Sequence, residues 1–155
     1  MTELTAADVL AGVKAWAEQL YQAADLKVEV ALHGGRFIVT DLERYATKSQ
    51  ACRVALEGVR FELNGRGELI ANGHVVVVVL AGDHGRAGDR AVNVLKVAAP
   101  IQAALPGSRN GLELMDSIDA KTVRAANLYH AELDKRGSAA WVITWPVEFK
   151  HPRVR

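Results

Sequence analysis

Trp141-Val142-Ile143-Thr144-Trp145-Pro146-Val147-Glu148-Phe149 is the most strongly patterned stretch of the chain. Trp141, Ile143, Trp145, Val147 and Phe149 share one parity, and Val142, Thr144, Pro146 and Glu148 share the other. Successive side chains of an extended strand point to opposite faces, so the first set builds one large apolar face. The pattern predicts a terminal strand over 139–149, locked into a core or an interface. Pro146 has no N–H to give to a ladder, which predicts an edge strand or a bulge at that point.

Working back from this strand, 122–126 reads as a short strand, 128–134 as a helical turn, and 107–120 as loop or short strand. Further upstream lies a long strand pair. Cys52, Val54 and Leu56 share one parity and Val59, Phe61 and Leu63 the other, with the switch near Gly58, which predicts a bulge there. Asn64-Gly65-Arg66-Gly67 is a hairpin signal. The return strand over 68–81 ends in Val75-Val76-Val77-Val78-Val79-Leu80, apolar on both faces. Such a strand is expected at the centre of a sheet, covered on each side by helices or by another subunit.

Two helices complete the pattern. Thr5 to Ala24 carries Val9, Val13, Trp16 and Leu20 at helical spacing, with Thr5 as cap and Asp8 in the first turn. Arg90 to Leu105 places Ala91, Val94, Leu95, Ala98, Ile101 and Leu105 on an expected buried face, and Pro100 is expected to kink or divide the helix. Leu26 to Leu32 alternates as a half-buried strand, His33-Gly34-Gly35 turns, and Arg36 to Thr40 reads as a return strand. Asp41 to Gln50 is polar and irregular. The fold class is therefore α+β: one domain over 1–155, a mixed or antiparallel sheet with a long hairpin, and two main helices packed mainly on one face.

The chain has 155 residues, half of them hydrophobic and 24% charged, with a formal net charge of +1. That balance argues against a dedicated nucleic-acid binder. Cys52 is the single cysteine, so no internal disulfide forms. The longest apolar run, Val75 to Ala81, is too short to cross a bilayer, and the opening residues lack a signal-peptide pattern. The expectation is a soluble cytoplasmic product that can later join a larger particle, with no membrane partner.

No constellation reads as catalytic machinery. The loop Gly82-Asp83-His84-Gly85-Arg86-Ala87-Gly88-Asp89-Arg90 joins a buried strand to a helix, where phosphate loops sit. Arg86 and Arg90 would favour an anion, but the glycine spacing fits no phosphate motif and the two aspartates oppose one. Its default reading is a connection and helix cap. His33, His74, His84, His130 and His151 are dispersed, so no metal site is expected. Cys52 falls at an apolar strand position and reads as a buried small hydrophobe. Trp141 and Trp145 read as core or subunit packing. The basic end, Lys150 to Arg155 and including Arg153, reads as a solvated tail or as a dock for an acidic neighbour.

Several segments, taken in order, resemble the tail-terminator family of Mu-like bacteriophages and prophages. They are the opening helix and strand, Arg44-Tyr45-Ala46-Thr47-Lys48-Ser49, Cys52-Arg53-Val54-Ala55-Leu56-Glu57-Gly58, Ala125-Ala126-Asn127-Leu128-Tyr129, Leu133-Asp134-Lys135-Arg136-Gly137 and Ala140-Trp141-Val142-Ile143-Thr144-Trp145. The resemblance implies a virion structural protein that forms a hexameric ring. Such a ring caps the head-proximal end of the tail tube, stops its polymerisation and joins it to head-completion (stopper) proteins. It implies no enzyme activity and no cofactor. It also implies localisation at the head–tail junction of the virion, with genome DNA passing through the ring and no specific nucleic-acid site. The contacts expected to neighbours are Asn64, Gly65, Arg66 and Gly67 at the hairpin tip, Asp83, His84 and Arg86 in the glycine-rich loop, and Trp141, Trp145 and Arg153. The competing expectations are another head–tail connector or tail-tube component, and a small anion-binding domain or enzyme built on the Gly82–Arg90 loop.

Overall fold

The computed structural model describes residues 2–34, 50–83, 86 and 88–154. The expected return strand 36–40, the polar segment 41–49 with its Arg44–Ser49 motif, and His84 lie outside the described residues.

Helix α1 (Ala6–Ala23) starts at Thr5 with a reciprocal capping box. The Asp8 amide donates to Thr5 Oγ1 at 3.2 Å and the Thr5 amide donates to Asp8 Oδ2 at 2.7 Å, which satisfies two otherwise open donors. Its buried stripe is Val9, Val13, Ala17 and Tyr21, with Trp16 and Leu20 half-buried beside it. Asp25, in the left-handed region at φ 54°, turns the chain out of the helix.

Among the described residues the sheet has five strands in the order β1-β2-β3-β5-β4: β1 (Glu29–Leu32), β2 (Ala51–Leu63), β3 (Leu69–Gly82), β4 (Arg124–Asn127) and β5 (Ser138–His151). β1 runs parallel to β2, and every other pairing is antiparallel. β3 is central, as its two-faced apolar sequence requires, and pairs along its whole length with β5. The expected bulge is present: the β2–β3 register shifts between Glu57 and Arg60, and Gly58 takes φ 64°.

Cover for both faces comes from this chain. Val75, Val77 and Val79 meet α1 and helix α2 (Arg90–Ala104) together with Ile143, Trp145 and Phe149. Val76, Val78 and Leu80 meet Leu133 of the short helix α3 (Ala131–Lys135), with Leu128 and Val142 alongside. The two long helices thus share one face, and among the described residues a short element covers part of the other.

Three expectations are corrected. β5 is not the edge strand: β4 flanks it opposite Trp141 to Thr144, and Pro146 lies beyond that pairing, where its missing N–H costs no ladder bond. α2 runs undivided through Pro100, and its buried stripe is Val94, Val97, Ala98 and Ile101, leaving Ala91 and Leu95 exposed. Leu95 is one residue past Val94, about 100° round the helix, and so leaves the stripe. Phe61 and Leu63, on the switched parity after the bulge, are 54% and 57% exposed, because packing of β2 against the core ends at Val59.

Candidate functional site

The hairpin tip is built by one side chain. Asn64 Oδ1 accepts from the amides of Arg66 at 2.9 Å and Glu68 at 3.0 Å, while its Nδ2 donates to Glu68 Oε2 at 2.8 Å. Gly67 completes the turn at φ 74°, a conformation that other residues adopt at a cost. Gly65 and Arg66 are exposed at the apex. Arg153 donates to the Gly67 carbonyl at 2.8 Å, so the C-terminal segment is strapped onto the tip of its own chain. Lys150 adds an ion pair to Glu68 at 3.1 Å. The Asn64 amide first, and then Lys150, hold the Glu68 carboxyl below its ordinary range. Of the expected contact residues, the fold thus brings Arg153 together with Asn64, Gly65, Arg66 and Gly67. The tail reading changes accordingly: what Arg153 docks on is the hairpin turn.

The glycine-rich loop lies at the other end of β3. Asp83 Oδ1 accepts from the Gly88 amide at 3.2 Å and the Arg90 amide at 3.0 Å, and the Arg90 guanidinium reaches Asp83 Oδ2 at 2.9 Å. These donors, led by the Arg90 amide, hold the Asp83 carboxyl below its ordinary range. The second guanidinium nitrogen donates to Asp134 of α3 at 2.6 Å. Asp83 therefore occupies the start of α2, where a bound anion would sit, and the loop reads as a cap and clamp. Arg86 is exposed beside it.

The tryptophans divide. Trp145 is fully buried: its Nε1 donates to Asn110 Oδ1 at 3.0 Å, and its ring packs edge-on against Trp16 with centroids 6.1 Å apart. It is a core residue and offers no surface to a neighbour. Trp141 is half-buried, with Nε1 donating to Gln102 Oε1 at 2.9 Å.

Cys52 is buried against Tyr21, and burial pushes its thiol up to about 12, which keeps it protonated and unreactive. Among the described residues, no three His, Cys, Asp or Glu side chains are placed to hold a metal ion. An open groove of about 630 Å³ lies over the sheet near the bulge, lined by Arg60, His74, Asp116 and Glu148. Among the described residues, no helix is long and apolar enough to cross a membrane.

The sequence reading missed several features. Arg53 is buried on β2 and ion-paired to Glu29 at 2.9 Å, tying β1 to β2. Asn110 is wholly buried under Trp145. Exposed large apolar residues include Phe61 and Leu63 on the distal hairpin and Val92 and Leu95 on α2, besides Leu32, Tyr129 and Val154. The α2 exposure had a signal in the sequence: its apolar residues are too many for one stripe. No family model and no curated protein matches this chain.

Proposed function

We propose that this protein is a tail terminator, a subunit of a hexameric ring that closes the head-proximal end of a phage tail tube. The ring stops tube growth and offers a landing surface for head-completion proteins. One observation carries the assembly part of this reading: exposed apolar side chains lie at both ends of β3, Phe61 and Leu63 at one and Val92 and Leu95 at the other. Exposed apolar patches of this kind mark surfaces that another molecule covers. The residues that would suggest chemistry instead serve the fold, since Asp83 is engaged by Arg90 and Cys52 is buried.

The tail-specific part rests on the resemblance. Its described segments fall on α1, β1, β2, β4, α3 and β5; β1 pairs with β2 and β4 with β5, and β3 joins the two pairs. The mechanism needs no reaction: one ring face complements the last tube ring, and the other cannot nucleate a further one. A head-to-tail contact generates such a ring when its rotation closes.

The test mixes the purified chain with polymerising tail-tube subunits and measures tube length by negative-stain microscopy. Shortened tubes bearing a ring at one end are the expected result. An unchanged length distribution with bare ends overturns the reading.

A further inference from the structure

The distal arm of β2 ends in Val59-Arg60-Phe61-Glu62-Leu63, a run that is complementary to itself. Among the described residues β1 pairs with β2 only over Ala51–Val54, so this arm has β3 on one side and no strand on the other. The bulge at Gly58 and the turn at Asn64 frame it. The Asn64 amide donates to the Glu68 carbonyl at 3.0 Å. Bonded pairs alternate along an antiparallel ladder, so Arg60 and Glu62 turn their backbone groups toward β3, and Phe61 and Leu63 turn theirs toward the open edge. The side chains divide in the same way. Arg60 and Glu62 stand beside Asn72 and Ile70, on the sheet face away from the two long helices, and both are exposed. Phe61 and Leu63 stand beside Ala71 and Leu69 on the helix face and are also exposed. The Phe61 ring leans inward across β3 and meets His151 of β5 edge-on, with centroids 5.2 Å apart, which leaves the edge itself clear.

We propose that this run pairs antiparallel with the same run of a second copy of the chain, about a two-fold axis through Phe61, and joins the two sheets edge to edge. A strand edge with unused backbone donors and acceptors is a template for another strand. In the register centred on Phe61, Arg60 of each copy stands opposite Glu62 of the other on one face, and Val59 stands opposite Leu63 on the other face. Opposite charges facing each other across strands stabilise a pairing, and like charges oppose it. A slip of two residues is the smallest that keeps the faces matched. It sets Glu62 against Glu62 or Arg60 against Arg60, so the charges select the central register. There the two Phe61 residues exchange both N–H···O bonds, and each Leu63 gains an apolar neighbour. The other edge strand, β4, is the poorer partner, because it presents only Ala125 and Asn127 on the helix face. The contact is isologous and closes at two copies. It therefore goes beyond the head-to-tail contact of the ring reading and does not depend on it.

A charge exchange in the full chain tests this. Glu62→Arg and Arg60→Glu, each confirmed as folded by circular dichroism, set like charges opposite each other in the central register. Each variant alone should show half the wild-type mass by light scattering. An equimolar mixture of the two should recover the full mass, because every contact is then Arg against Glu. Phe61→Cys places a thiol on the two-fold axis, where bonded pairs hold their Cα atoms about 5.5 Å apart, within disulfide reach. The natural Cys52 is buried, so oxidation should link this variant into dimers and no further on non-reducing gels. Unchanged masses for both charge variants overturn the proposal, and so does a mixture that stays at half mass. A ladder beyond dimers from Phe61→Cys, or no link at all, also overturns it. None of these outcomes bears on the tube-length test, which decides the ring reading separately.

Discussion

Asp83 and Arg90 close one end of the molecule by a double grip: the Arg90 amide donates to Asp83 Oδ1 at 3.0 Å, and its guanidinium reaches Oδ2 at 2.9 Å. One carboxylate thereby caps α2, holds the end of β3 and, through Arg90, reaches Asp134 of α3. The folded state holds the Asp83 carboxyl below its ordinary value. The unfolded chain therefore binds more protons in the window between the two values, and stability rises with pH across it. The contribution is complete above about pH 4 and is lost as pH falls through the lowered value. Asp83→Asn should lower the melting temperature at pH 7 and flatten this part of the acid limb. Thermal melts from pH 2 to 7 check both; a variant with an unchanged acid limb would show that Asp83 contributes nothing there.

Cys52 gives the opposite pH dependence. Burial raises its thiol to about 12, so the folded state keeps a proton that the unfolded chain releases from roughly pH 8.5. Stability should decline as pH rises from there toward 12. Cys52→Ala should flatten this decline below about pH 10, where tyrosines begin to ionise. Thiol reagents at pH 8 should label the native protein only at the rate at which it opens, and urea should accelerate labelling sharply. Fast labelling in native buffer would contradict the burial.

The buried pair Trp145 and Asn110 makes a stability prediction. Trp145→Phe removes the donor to a wholly buried acceptor and leaves a gap beside Trp16. An unsatisfied buried group costs about 1–3 kcal/mol, and the gap adds to it. Urea denaturation should show a loss of about 2–4 kcal/mol with an unchanged m-value. A loss under 1 kcal/mol would mean the site relaxes freely.

These relationships differ in how legible they are from sequence. The parity of 141–149, the helix start at Thr5 with Asp8 in its first turn, and the hairpin turn at Asn64 follow from local rules, and the structure reproduces each. The reach of neighbouring elements is not local. Phe61 and Leu63 continue on the switched parity that the bulge brings to the face of Val54, but they are exposed because packing of β2 against the core ends at Val59. The partners of Arg90 lie 7 and 44 residues away, and no spacing rule links them. Asn110 meets Trp145 across 35 residues, and only the folded sheet brings them together.

Gly137 and Gly58 form an internal control for the cost of a side chain in left-handed backbone. Both have positive φ, 66° and 64°. A Cβ on Gly58 meets nothing within 4 Å, whereas a Cβ on Gly137 would lie 2.8 Å from Asp83 Oδ2. Gly58→Ala should therefore cost only the conformational penalty of about 1–2 kcal/mol. Gly137→Ala should cost that and also push the Asp83 carboxylate off Arg90, weakening the clamp that joins β3, α2 and α3. The Gly137 variant should be the less stable of the two in urea, and its acid limb should resemble that of Asp83→Asn, while the Gly58 variant keeps the wild-type limb. Equal losses with identical acid limbs would mean that Asp83 holds Arg90 without the close approach of Gly137.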